Sequence, residues 1–213
     1  MRHRQEGYGS EAVKGISIVP GVKHKLVVLM LDTSRSMGKD CAIGTLNTAI
    51  SHFKTRICVT GTAEIEGVEI ALITFGGDVR AYGNNRSDVI MKLADMPAPV
   101  LVAGGGALFY GALERTLDLV DARKKQYKDA GASWYVPKIF VLTGARPTDT
   151  DHGVVARLHA DAKRHGVGAY CMGIGRFDHG QMSYVFGDDR VDELKVWGFN
   201  NFFGSVENYI RSY

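Results

Sequence analysis

Asp32, Ser34 and Ser36 occupy alternate positions in Asp32-Thr33-Ser34-Arg35-Ser36-Met37, directly after the apolar stretch 26–31. Alternate residues of an extended loop send their side chains to one side, so one carboxylate and two hydroxyls can converge on a point. A hard divalent cation takes oxygens of this kind in an octahedron and fills the remaining positions with water. The same residues have a second reading, in which Asp32 and Ser34 cap the turn into the next helix. Two more loops bear on the choice. Gly104-Gly105-Gly106-Ala107 precedes a helical pattern, and Thr143-Gly144-Ala145-Arg146-Pro147-Thr148-Asp149 follows the apolar run 139–142.

Other chemistry is weaker. His152, His159 and His165 share a helical stretch, but spacings of seven and six miss the i, i+4 geometry of a helical zinc site. Gly104-Gly105-Gly106 has no following Lys-Ser or Lys-Thr for a phosphate loop. Gly173-x-Gly175 ends a strand, Cys41 reads as a buried structural thiol, and no Ser/His/Asp triad emerges from spacing. Trp134, Trp197, Phe199, Phe202 and Phe203 read as packing residues rather than a base-stacking platform.

The elements that must position these loops alternate. Run 26–31 is continuously apolar, the pattern of a strand buried on both faces; 139–142 reads as another buried strand, and 68–75 and 167–174 as further strands. A helix from about Cys41 carries Leu46, Ala49, Ile50, Phe53 and Ile57 on one face. Helices follow from 104, where Leu113, Leu117 and Val120 face inward, and at about 152–165, 178–186 and the C-terminus, where Phe203, Val206 and Ile210 are buried. Gly76-Gly77 reads as a two-residue hairpin into an antiparallel strand at 78–82. A short helical piece is expected near 88–93 and a last strand near 194–196. The charged run 123–129 reads as a solvated helix face. This pattern predicts an α/β, Rossmann-like, doubly wound sheet of about six strands, mostly parallel, with one antiparallel edge strand and helices on both faces. Ligands of such sheets bind beyond the carboxyl ends of the strands, where these loops lie.

Asp-x-Ser-x-Ser after a buried first strand resembles the metal-ion-dependent adhesion site of von Willebrand factor A (VWA) domains. The Gly-Gly-Gly loop opening a helix, the Phe140-Val141-Leu142-Thr143 strand end and Ala71-Leu72-Ile73-Thr74-Phe75 occur in the family's order, and the likeness covers about 24–213. It divides the chain into an N-terminal arm, 1–22, and a VWA domain, 23–213. Trp134-Tyr135-Val136-Pro137-Lys138 and Pro147-Thr148-Asp149 look like bacterial VWA proteins of tellurium-resistance and stress operons, which implies an adaptor. Two departures stand out: the family's Thr falls on Ala107 and its Asp on Gly144. The resemblance therefore implies a degenerate metal site of Asp32, Ser34 and Ser36 that holds Mg²⁺ or Mn²⁺ weakly or not at all. Arg146 either substitutes for the metal's charge beside Asp32 or points to solvent. The expected function is non-catalytic binding of a protein partner through a face formed by Arg35, Met37, Gly106 and Arg146. The alternatives are a structural assembly subunit that uses no metal and a Mg-dependent phosphatase-like hydrolase. The latter lacks a second Asp at position 34.

Composition agrees with one such domain. The chain has 213 residues, 45% of them hydrophobic, and a net charge of +3 from 26 basic and 23 acidic residues. That balance makes no electrostatic case for nucleic acid or a membrane surface. Three cysteines without a Cys-x-x-Cys pair point to a reducing compartment. The basic Arg2-His3-Arg4 arm lacks a following apolar run, so a soluble cytoplasmic protein is expected and the sequon Asn85-Arg86-Ser87 reads as chance.

Overall fold

The computed structural model describes residues 16–83, 88–195 and 198–212. Arg2-His3-Arg4, the sequon and Trp197 lie outside the described residues. Strands β1 (Lys25–Asp32) and β2 (Val68–Phe75) are buried at every position, as strands covered on both faces must be. With β3 (Val79–Tyr82), β4 (Ile90–Lys92), β5 (Lys138–Thr143), β6 (Gly168–Ile174) and β7 (Val191–Leu194) they form a seven-stranded sheet. Its order is β3-β2-β1-β5-β6-β7, with β4 also paired to β2. β1, β2, β5, β6 and β7 are parallel, whereas β3 and β4 run antiparallel to β2.

The helices α1 (Ala42–Val59) and α5 (Phe199–Arg211) cover one face; α2 (Phe109–Asp129), α3 (Val154–Lys163) and α4 (His179–Phe186) cover the other. Each face therefore has its own apolar cluster. Leu46, Ile50, Phe53 and Ile57 meet Phe202, Phe203, Val206 and Ile210 on one side. Leu113, Leu117 and Val120 meet Val155, Leu158 and Met182 on the other. No helix among the described residues is long and apolar enough to cross a membrane.

Several local expectations are corrected. The stretch near 88–93 is the strand β4 followed by a short 3₁₀ turn, Leu93–Asp95, because pairing with Glu69, Ile70 and Ala71 outweighs weak helical periodicity. It makes the sheet seven-stranded rather than six-stranded and adds a second antiparallel strand. The last strand begins at Val191, whose side chain joins the core, while Asp192 and Glu193 face out; Val196 lies outside the described residues. The β2–β3 connection has three residues, since Phe75 pairs with Val79.

The 123–129 run is not wholly solvated. Arg123 is 2% exposed and Tyr127 fully buried. Arg123 donates from Nε and Nη2 to both Glu69 oxygens at 2.7 Å, and the Tyr127 hydroxyl donates to Oε2 at 2.6 Å. His24 Nδ1 lies 2.9 Å from Oε1. A buried carboxylate needs such partners to repay lost hydration. Arg123 also donates to the carbonyl of Ile16, whose side chain packs on the core. This cluster closes the amino end of the sheet; the candidate loops lie at the opposite end.

Candidate functional site

At the carboxyl end of β1, Asp32 is fully buried. Its Oδ1 accepts from the Ser34 backbone N–H at 2.7 Å. Its Oδ2 accepts from the Thr143 hydroxyl at 3.0 Å and the Gly144 N–H at 2.9 Å. Asp32 thus ties its own loop to the end of β5. Burial pushes its carboxyl above the ordinary value, against the pull of the hydrogen bonds from Ser34, Gly144 and Thr143. Ser34 Oγ and Ser36 Oγ lie 2.8 Å apart. Beyond them the chain makes a 3₁₀ turn and passes through left-handed Asp40 and Cys41 (φ 50° and 58°) into α1.

Neighbouring loops interlock through their backbones. Gly104 N–H donates to Thr33 O at 2.8 Å, Arg35 N–H to Gly105 O at 3.1 Å, and Gly77 N–H to Gly104 O at 3.2 Å. The approach is close enough to demand glycine: a Cβ on Gly105 would lie 2.3 Å from Gly77 Cα, and Gly105 has φ 69°. Thr148 Oγ1 accepts from Ala107 N–H at 2.9 Å, and Asp149 Oδ2 accepts from Gly111 N–H at 2.8 Å, so the β5 exit loop caps α2. Asp32, Ser34, Ser36, Ala107 and Gly144 therefore belong to one mutually bonded set of loops. The roles of Thr143, Thr148 and Asp149 escaped sequence reasoning; the Pro-Thr-Asp exit was the available signal.

One member of the expected interaction face is corrected, and one of the two readings of Arg146 is not found. Met37 is fully buried, packed beneath the loop on the α1 side, and offers nothing to a partner. Arg146 is exposed but its Nε pairs with Asp178 at 3.0 Å rather than with Asp32. Arg35 is exposed and Gly106 half-buried.

The donor set does not fit a resident divalent ion. It has one carboxylate, and that carboxylate's two oxygens already accept three hydrogen bonds. Ala107 and Gly144 bring no side-chain oxygen. A Cβ at Gly144 would lie 3.1 Å from both Met37 Sδ and Ile174 Cγ1, so the start of a second acidic side chain is crowded. Among the described residues no group of three or more His, Cys, Asp or Glu side chains converges on a point.

This arrangement of sheet, helices and loops has close structural counterparts. A von Willebrand factor type A protein from Catenulispora acidiphila superposes with a TM-score of 0.61 at 14% identity, covering 89% of this chain and 43% of that one. The fold is that of a VWA domain. The vWF domain of the type V pili tip protein Mfa5 from Porphyromonas gingivalis matches with a TM-score of 0.62 at 11% identity, over 88% of this chain and 95% of that one. Proximal thread matrix protein 1 from the mussel byssus, with a zinc-occupied MIDAS motif, matches with a TM-score of 0.53 at 13% identity, over 88% and 46%. The chain thus spans less than half the length of the Catenulispora and mussel chains. No protein-family model and no curated protein sequence matches it. The likeness is one of VWA fold, carried by structure at low identity.

Proposed function

We propose that this VWA-fold chain is a non-catalytic protein-interaction module that binds its partner through the loop face around Asp32 without a resident metal. The observation that carries the reading is the state of Asp32. The single carboxylate of the loop is spent on holding β1 to β5, leaving no free acid or base at that point for proton transfer. What the loops present instead is a backbone-locked surface with Arg35 exposed and Ser36 half-buried on it. Binding through a rigid surface costs little ordering entropy. The pilus-tip and byssal-matrix neighbours support a role in association. Cys41 is exposed rather than buried as its sequence context suggests, and with Cys58 exposed as well the free thiols support a reducing, cytoplasmic setting. An adaptor in a bacterial or phage stress-response system, of the tellurium-resistance kind, is the finer form of this proposal.

The test is site-specific photo-cross-linking. A benzophenone side chain in place of Arg35 should capture a discrete partner, and the same group in place of Lys128, exposed at the far end of α2, should not. Capture from position 128 and not from 35 would place the partner elsewhere. Calorimetry with Mg²⁺ or Mn²⁺ should show no saturable binding by the isolated chain. Tight binding abolished by Ser36→Ala would overturn the metal-free part of the reading.

A further inference from the structure

Residues 96–104 connect the 3₁₀ turn after β4 to the glycine loop, running without a turn or bend. Exposure alternates along them: Ala98, Val100, Val102 and Gly104 face out, Leu101 is buried, and Pro97, Pro99 and Ala103 are half-buried. That period of two is the signature of a strand. Between Ala98 and Ala103 its one sheet-like partner is a side chain, whereas Gly104 already bonds Thr33 O and Gly77 N–H through its backbone. Asn47 on α1 accepts from Leu101 N–H and donates to Leu101 O, each at 2.9 Å, as a neighbouring strand would. In an extended chain the N–H and C=O of one residue point to the same lateral edge, and those of the next residue to the opposite edge. Leu101 uses the Asn47 edge. The N–H and C=O groups of Ala98, Val100 and Val102 lie on the other edge, and they make no hydrogen bond among the described residues. Both prolines fall on the Asn47 side, so the edge keeps the N–H groups of Ala98, Val100 and Val102 and ends at Gly104, which is bonded to Thr33 and Gly77. Val100 and Val102 are 83% and 80% exposed.

We infer that this open edge takes an extended strand from the protein partner, rich in β-branched residues and carrying an acidic residue toward the glycine loop. The inference rests on the reading of the chain as a partner-binding module and names the chemistry of that partner. Free main-chain groups supply hydrogen bonds, and the two valines offer contacts to alternate side chains of an added strand. Asn47 fixes the edge beforehand, which lowers the ordering cost. The acidic preference follows from Arg35 and Lys39, which are exposed and make no ion pair among the described residues. They lie by the carboxyl end of the segment, where Arg35 N–H meets Gly105 O and Gly38 abuts Ala103. A second copy would bring Arg35 and Lys39 again rather than the acidic group they call for. A flexible strand can continue across Arg35 and enlarge the contact.

The probe is a short synthetic peptide of alternating valine and threonine between terminal glutamates, added to the full chain and followed by amide hydrogen exchange. Protection should rise at Val100 and Val102 and stay unchanged at Leu101, already bonded to Asn47. A peptide N-methylated at alternate residues should bind roughly tenfold more weakly or worse, as expected from losing two main-chain hydrogen bonds. Val100→Lys with Val102→Lys, both at exposed positions, should abolish protection while leaving the circular dichroism spectrum unchanged. Several results would overturn the inference: protection spread evenly or located elsewhere, no binding at millimolar peptide, or indifference to N-methylation. So would a concentration-dependent dimer dissolved by the lysine pair, which makes the occupant a second copy, or an edge that binds only after residues 1–15 are deleted, which makes it the chain's own terminus. Cross-linking from position 35 that survives the lysine pair, with no protection at the edge, would retain the binding module and discard the strand.

Discussion

Asp32→Ala should unfold this loop face rather than merely remove a ligand. The alanine leaves the buried Ser34 N–H and the half-buried Gly144 N–H without an acceptor; Thr143 Oγ1 has the Ala145 carbonyl as a fallback at 3.5 Å. Each buried donor left unsatisfied costs about 1–3 kcal/mol. Release of a desolvated carboxylate offsets part of that, so a net loss of about 3 kcal/mol is expected. For a chain of this size that lowers Tm by roughly 6–12 °C. Ser36→Ala removes one half-buried hydroxyl contact and should stay within about 1 kcal/mol of wild type. Urea denaturation followed by circular dichroism, with thermal melts in chelator and in excess Mg²⁺, measures both variants. The reasoning fails if Asp32→Ala is as stable as Ser36→Ala, or if Mg²⁺ raises the wild-type Tm and Asp32→Ala abolishes that rise, since a ligand that binds the folded state must stabilise it. A binding assay that uses Asp32→Ala alone would therefore confound partner loss with unfolding. Arg35 and Ser36 are the positions to vary.

Arg123→Met should cost about 3–5 kcal/mol, because it strands Glu69 in the core, and adding Glu69→Gln should recover part of the loss in a double-mutant cycle of urea melts. The folded Asp32 carboxyl sits above its ordinary value of 3.8, so the stability it contributes is full below that pH and is lost as pH rises through the folded value. Asp32→Asn removes that dependence, and the stability gap between wild type and variant should narrow as pH rises above the ordinary carboxylate value; a gap that widens contradicts the direction. In the native protein a chromogenic disulfide reagent should titrate Cys41 and Cys58 quickly. Cys171, whose thiol is buried and pushed upward, should react only after denaturation, and three equally fast thiols would refute its burial.

Periodicity and adjacency in the sequence were enough to determine the layered α/β sheet, because a continuous apolar run such as 26–31 in β1 occurs where a strand is covered on both faces. They also determined which loops meet, since Asp32, Ala107 and Gly144 all sit at carboxyl ends of one parallel sheet. Short segments with competing local signals were not legible. β4 exists because β2 offers an unpaired edge beside Glu69, and β7 because Val191 reaches the core past a charged neighbour. Polar side chains were misplaced for a related reason: sequence shows a charge but not its partner. Arg123 goes inside because Glu69, Tyr127 and His24, far from it in the chain, can satisfy it there. Arg146 turns away from Asp32 because Asp178 is at hand and because three nearer donors already occupy that carboxylate. Hydrogen-bond satisfaction is a property of the assembled interior, and that is why the tertiary structure, not the motif, decided that Asp32 holds two strands together.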